Sequence, residues 1–260
     1  MFTFNFAPEI EDRIFEWATH LFPRGAPQLT VICKRVQTRV ERLIYESLFF
    51  CEEAYRGLPE VANIERFIYT LEARPAEFFA GHVRNIFMTY KATWTFAKLL
   101  LAKCTKVRNL VLWIMTFDHP GYGSMVLPLS SSLVAISTNK VILNDMSASG
   151  IVFPNVQYVG LVYESKQPLS PLKWLPNAWK MQMQLDKQPS WSDLWLKDAK
   201  VAIATAPLIE MYFIVDPMCV TEVESRKDEL GDGADIFIIS DHEDGIRRWR
   251  MRNIYDELDI

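Results

Sequence analysis

One cadence recurs along the chain and limits what it can fold into: an apolar residue, two variable ones, a second apolar residue, one variable, and a third apolar residue. It occurs in Val83-Arg84-Asn85-Ile86-Phe87-Met88, Val107-Arg108-Asn109-Leu110-Val111-Leu112, Val156-Gln157-Tyr158-Val159-Gly160-Leu161, Ala178-Trp179-Lys180-Met181-Gln182-Met183 and Ile209-Glu210-Met211-Tyr212-Phe213-Ile214. The alternating second half has the period of a strand with one face buried. The starting positions 83, 107, 156, 178 and 209 are separated by 24, 49, 22 and 31 residues. Most steps therefore match one repeat unit of about 20–29 residues, with one double step. Val141-Ile142-Leu143 lies inside the double step and is expected to be the missing strand, and Ile236-Phe237-Ile238-Ile239 the last. Three strands follow a proline turn: Phe153-Pro154-Asn155, Leu175-Pro176-Asn177 and Ala206-Pro207-Leu208. Thr95 to Ala102 and Ser192 to Ala202 have the spacing of amphipathic helices. The expected class is α/β, with about seven short parallel strands backed by helices in an open row. An ordinary α/β domain with buried strands is the other reading of the same spacing.

The first fifty residues have a different texture. Ile10, Ile14, Trp17, Ala18 and Leu21 recur at steps of three and four after Pro8 and Glu9, which favour a helix start. Pro23, Gly25 and Pro27 stop that helix. A short second helix and a third carrying Val36, Val40, Leu43, Ile44 and Leu48 follow, with Lys34, Arg35, Arg39, Glu41 and Arg42 on the polar face. Three short helices bury little, so part of their apolar stripe stays exposed unless another chain, or the rest of this one, covers it. A second helical spacing, Ile64, Phe67, Ile68 and Leu71, ends before Pro75. The expected division is a helical module over 1–50 and the repeat-like α/β array over 51–260.

Pro8-Glu9-Ile10-Glu11, Ile14-Phe15-Glu16, Pro27-Gln28-Leu29, Lys34 to Glu41 and Leu43-Ile44-Tyr45 together resemble a divergent F-box. With Arg66-Phe67-Ile68, Leu71-Glu72, Pro75 to Ala80 and His82-Val83-Arg84-Asn85, they resemble the fungal, mushroom-type F-box-like proteins with degenerate leucine-rich repeats. The likeness covers about residues 7 to 115 well and the remainder loosely. Ala7 and Val36 stand where that family usually has leucine and tryptophan, and the asparagine ladder of well-formed leucine-rich repeats is missing. The resemblance implies an N-terminal three-helix F-box-like module and a short irregular leucine-rich-repeat solenoid with a parallel sheet. It also implies a substrate receptor that links an unknown protein target to the Skp-type adaptor of a cullin-RING ubiquitin ligase. The adaptor interface would comprise Pro8, Glu9, Ile10, Ile14, Phe15, Leu29, Cys33, Lys34 and Val36. The alternative is a repeat-array binding protein whose N-terminal helices only cap the array, with no ligase role.

Four tryptophans, Trp174, Trp179, Trp191 and Trp195, crowd into 22 residues. Tryptophan is enriched at interface hot spots, so these residues are candidates for partner binding, and a well-filled core is the other reading.

Chemistry is harder to find. The chain has no phosphate-cradling G-x-x-x-x-G-K-[ST] or G-x-G-x-x-G loop and no G-x-S-x-G elbow. Its four histidines, His20, His82, His119 and His242, are scattered, and Cys33, Cys51, Cys104 and Cys219 stand singly, which suits buried thiols in a reducing compartment. Asp241-His242-Glu243 is the best place for an ionisable cluster, and Arg247 to Arg252 the most basic stretch. A loop or helix start and a helix paired with flanking acids, respectively, are the simpler readings. The expectation is a binding protein, not an enzyme, with no catalytic residue, cofactor or metal. Lys and Arg number 28 against 32 Asp and Glu, so no global positive field favours nucleic acid. No apolar run approaches the ~18 residues of a membrane span, and the acidic start lacks the pattern of a secretory signal. The expected partners exclude nucleic acid and membrane, and the expected location is the cytoplasm or nucleus.

Overall fold

The computed structural model describes residues 7–22, 25–50, 63–89, 92–114, 121–163, 167–185 and 192–240. Helices α1 (Pro8–Leu21), α2 (Ala26–Leu29) and α3 (Lys34–Glu46) come first, and α3 runs directly into β1 (Ser47–Phe50). Then follow α4 (Ile64–Ala73), α5 (Ala76–His82), β2 (Asn85–Met88), α6 (Trp94–Lys103), β3 (Asn109–Leu112) and α7 (Tyr122–Val126). The rest comprises β4 (Ala135–Asn139), α8 (Lys140–Ala148), β5 (Tyr158–Tyr163), β6 (Lys180–Leu185), α9 (Ser192–Thr205), β7 (Glu210–Val215), α10 (Val220–Ser225) and β8 (Asp235–Ser240).

The eight strands among the described residues form one parallel sheet in chain order, β1 to β8, each hydrogen-bonded to the next. They begin at 47, 85, 109, 135, 158, 180, 210 and 235, so successive starts lie 38, 24, 26, 23, 22, 30 and 25 residues apart. Registered rows make one sheet face continuous. Leu48, Ile86, Leu110, Ile136, Val159, Met181, Met211 and Ile236 form one row, and Phe50, Met88, Leu112, Thr138, Leu161, Met183, Phe213 and Ile238 the next inward-facing one. Against these rows pack Phe67 and Leu71 of α4, Phe79 of α5, and Phe96, Leu100 and Leu101 of α6. Ile142 and Met146 of α8 and Trp195 and Ala199 of α9 extend the same core. Burying such side chains supplies roughly 1.5–3 kcal/mol each, and this layer is where the fold's stability resides.

The helices start where the sequence provides caps. Asn63, Thr93 and Asn139 accept hydrogen bonds from the backbone N–H groups of Arg66, Phe96 and Ile142 at 3.0, 3.2 and 3.0 Å, each worth about 1 kcal/mol. The proline turns repeat a single bond. Asn155 Nδ2 donates to the Ser131 carbonyl at 2.6 Å, and Asn177 Nδ2 to the Pro154 carbonyl at 2.7 Å. Each asparagine thus pins its turn to the chain one repeat earlier.

Three expectations about strands need correction. Val141, Ile142 and Leu143 lie in α8, and the strand of that repeat is β4, immediately before it. The strand at 209 is framed one residue late: Leu208, Met211 and Phe213 are the inward residues, and Ile209 is exposed. Leu48 belongs to β1 rather than to the third helix, so the sheet begins within the first fifty residues.

The opposite sheet face carries Ser47, Asn85, Asn109, Ala135, Tyr158, Lys180, Glu210 and Asp235 in one row and Phe49, Phe87, Val111, Ser137, Gly160, Gln182, Tyr212 and Phe237 in another. Asn109 Nδ2 donates to Asn85 Oδ1 and Asn85 Nδ2 to Ser47 Oγ, at 2.8 and 2.9 Å. Phe49, Phe87, Val111, Trp113, Ala135 and Tyr158 form a second buried cluster there.

Candidate docking surface

The helical module is small and its interior is easily named. Ala26, Val36 and Val40 are buried at its centre, with Phe15, Leu29 and Ile44 packed around them. Two ion pairs, Glu11 with Arg35 and Asp12 with Arg39, fasten α1 to α3. Helix α3 is fastened in turn to the sheet's helix layer. Arg74, just beyond α4, pairs with Glu41 at 2.6 Å, and the Tyr45 ring meets Phe78 edge-on with centroids 5.1 Å apart. Burial raises the Glu41 carboxyl, but hydrogen bonds from Gln37 and Arg74 outweigh it and hold the group below its ordinary value.

These contacts leave α1 with its most apolar side facing outward. At about 100° per residue, Phe15, Ala18 and Thr19 fall on the side that packs, where the Thr19 hydroxyl bonds the Phe15 carbonyl at 2.7 Å. Ile10, Ile14, Trp17 and Leu21 fall on the other side and are 52, 46, 67 and 68% exposed. Phe22 at the end of α1, and Val31 and Ile32 before α3, are also exposed. A contiguous stripe of large apolar side chains is a candidate interaction surface, because water is a poor solvent for it.

Of the expected adaptor residues, Pro8, Glu9, Ile10, Ile14, Cys33 and Lys34 are exposed, while Phe15 and Leu29 are half-buried against the module's interior. Val36 is fully buried and has no surface to offer a partner; its role is packing α3 against α1 and α2. The periodicity that identified Ile10 and Ile14 extends to Trp17 and Leu21, which belong to the same stripe.

The tryptophans do not form one surface. Trp174 and Trp195 are core residues, in edge-on contact with Phe153 and Phe213 at centroid separations of 5.6 and 5.2 Å. Trp195 faces the sheet because α9 lies on it, and Trp174 fills the turn before β6. Trp179 is exposed, and Trp191 lies outside the described residues, as do Asp241, His242 and Glu243 and the basic stretch from Arg247 to Arg252.

Among the described residues no group of three or more His, Cys, Asp or Glu side chains is placed to hold a metal ion, and no helix is long and apolar enough to cross a membrane. Cys104 is buried and its thiol is pushed up to about 12, chiefly by that burial, so it stays protonated and unreactive at neutral pH.

The sheet and its helix layer define a mixed α/β protein whose parallel strands follow chain order. Compared with known proteins, the chain matches no family model, no curated protein and no solved structure.

Proposed function

We propose that the chain is a protein–protein interaction scaffold of the F-box type. In this reading the N-terminal helices dock on a Skp-type adaptor, and the strand array, a degenerate leucine-rich-repeat solenoid, holds a protein target for a cullin-RING ubiquitin ligase. Catalysis would come from the ligase, and this chain would contribute proximity. The observation that carries the reading is the stripe of Ile10, Ile14, Trp17 and Leu21 on a helix whose other side is already packed. A monomer without a partner would keep four large apolar side chains in water. The solenoid reading draws support from strands paired in chain order and from the repeated asparagine-to-carbonyl bonds of Asn155 and Asn177.

The test is co-purification of the full chain with a Skp-type adaptor. Retention by the wild type and by Tyr69→Asp, which changes an exposed side chain of α4 outside the stripe, with loss for Ile10→Asp combined with Ile14→Asp, supports the proposal. No binding at micromolar concentrations of folded protein reduces the helices to a cap on the array.

A further inference from the structure

We infer that, without another partner, α1 is covered by α1 of a second copy of this chain, the two helices running antiparallel about a two-fold axis. The inference needs the exposed stripe and not the adaptor.

The stripe lies at positions 10, 14, 17 and 21, and its steps of four, three and four read the same in either direction. A reversed copy therefore presents the same spacing, as an isologous interface requires. An axis between residues 15 and 16 sets Ile10 against Leu21 of the second copy and Ile14 against its Trp17. Each layer then pairs an isoleucine with a side chain of different shape. A parallel arrangement would stack Trp17 on Trp17 and leave isoleucine facing isoleucine. Ile10 and Trp17, and likewise Ile14 and Leu21, lie seven residues apart, the heptad spacing of a helix seam crossing at about 20°. Glu11 and Asp12 are held by Arg35 and Arg39, so close approach of two α1 helices does not set these carboxylates against each other.

The available area sets the size of the contact. Four side chains, each about half to two-thirds exposed, offer on the order of 300–400 Å² of apolar surface per copy. With apolar atoms making up about 57% of an interface, that implies roughly 600 Å² per copy and about 1,200 Å² in total, the lower limit for a specific contact. A contact of that size belongs with the small, transient interfaces, so the dimer is expected to be reversible, and a tighter ligand of the same stripe displaces it.

Sedimentation velocity of the full chain across the micromolar range tests this. The wild type is expected to pass from monomer to dimer with concentration. Ile14→Asp and Trp17→Asp weaken the dimer by about tenfold or more, and Tyr69→Asp leaves it unchanged. Ile10→Lys also loses the dimer, and Ile10→Lys combined with Leu21→Glu regains it at low salt, because only the antiparallel pairing brings those positions together. A monomer at every concentration, or a dimer indifferent to Ile14→Asp, overturns the inference. Added Skp-type adaptor separates the two readings: a dimer that the adaptor leaves intact upholds this one and removes the adaptor proposal.

Discussion

Lys140 Nζ donates to Asp198 Oδ2 across 2.9 Å, and both side chains are closed to solvent. The pair ties the first turn of α8 to α9, and the second oxygen of Asp198 accepts the Leu169 backbone N–H at 2.8 Å. Burial pushes the Lys140 ammonium below the usual lysine range, and the hydrogen bond and charge of Asp198 push back. A buried ion pair is a poor source of net stability but a severe loss when halved, because the surviving charge has nowhere to go.

Lys140→Met is accordingly expected to cost about 3–5 kcal/mol, read as a lower urea midpoint. Adding Asp198→Asn should recover part of that loss, since asparagine is uncharged and still accepts the Leu169 N–H. Equal losses in the single and double variants would show that the stranded Asp198 charge is not what destabilises Lys140→Met.

Gly160 faces Ser137 on the neighbouring strand so closely that a Cβ at Gly160 would lie 2.4 Å from Ser137 Oγ. The serine cannot turn away freely, because its oxygen accepts the Trp113 indole N–H at 3.0 Å. Gly160→Ala is expected to destabilise by about 1–3 kcal/mol through overpacking, and Ser137→Gly in the same chain should relieve most of it. Thermal unfolding of the three variants decides the matter: an unchanged midpoint in Gly160→Ala would mean that β4 and β5 separate more readily than their register indicates.

The strand cadence was legible where the inward residues are plain aliphatics, as in Ile86 and Met88 or Leu110 and Leu112. It failed at β4, where Thr138 takes the third apolar place and is buried by donating to the Leu112 carbonyl at 3.0 Å. A hydroxyl satisfied by the preceding strand leaves no mark in the sequence. At β7 both faces carry large side chains, since Tyr212 and Ile214 oppose Met211 and Phe213, so alternation alone did not fix the frame. At β1, Leu48 continues the helical spacing of Val40 and Ile44. The stripe on α1 was likewise legible as a period, but which side of the helix packs depends on Arg35 and Arg39 reaching Glu11 and Asp12, contacts that only the fold supplies. For the tryptophans, abundance was visible and direction was not, because Trp195 points wherever α9 is laid on the sheet.

Val36 and Ile14 make the difference between interior and surface measurable. Val36→Asp places a charge in the fully buried centre of the helical module and is expected to unfold residues 7–46, seen as lost helical circular dichroism and rapid proteolysis there. Ile14→Asp exchanges an exposed side chain and should shift stability by less than about 0.5 kcal/mol. Similar proteolysis of the two variants would mean that the stripe on α1 is packed rather than free.

The join between α3 and the sheet's helix layer depends on pH in a direction that can be worked out. Glu41 is held below its ordinary value by Gln37 and Arg74, against the upward pull of burial. A carboxyl whose folded value is depressed adds stability that is fully present above the unfolded value and is lost as pH falls through the folded one. Arg74→Met removes a hydrogen bond and a charge, so the folded value of Glu41 rises. The wild type should therefore exceed Arg74→Met in stability at neutral pH, and the gap should narrow as pH falls through the folded value of Glu41. Part of the difference will persist in acid, because the Arg74 guanidinium also lies over the Phe78 ring, 4.6 Å from its centroid, a contact that titration of Glu41 does not touch. Unfolding midpoints of both proteins from neutral pH to pH 3 test this, and curves that run parallel throughout would remove Glu41 as the group that responds.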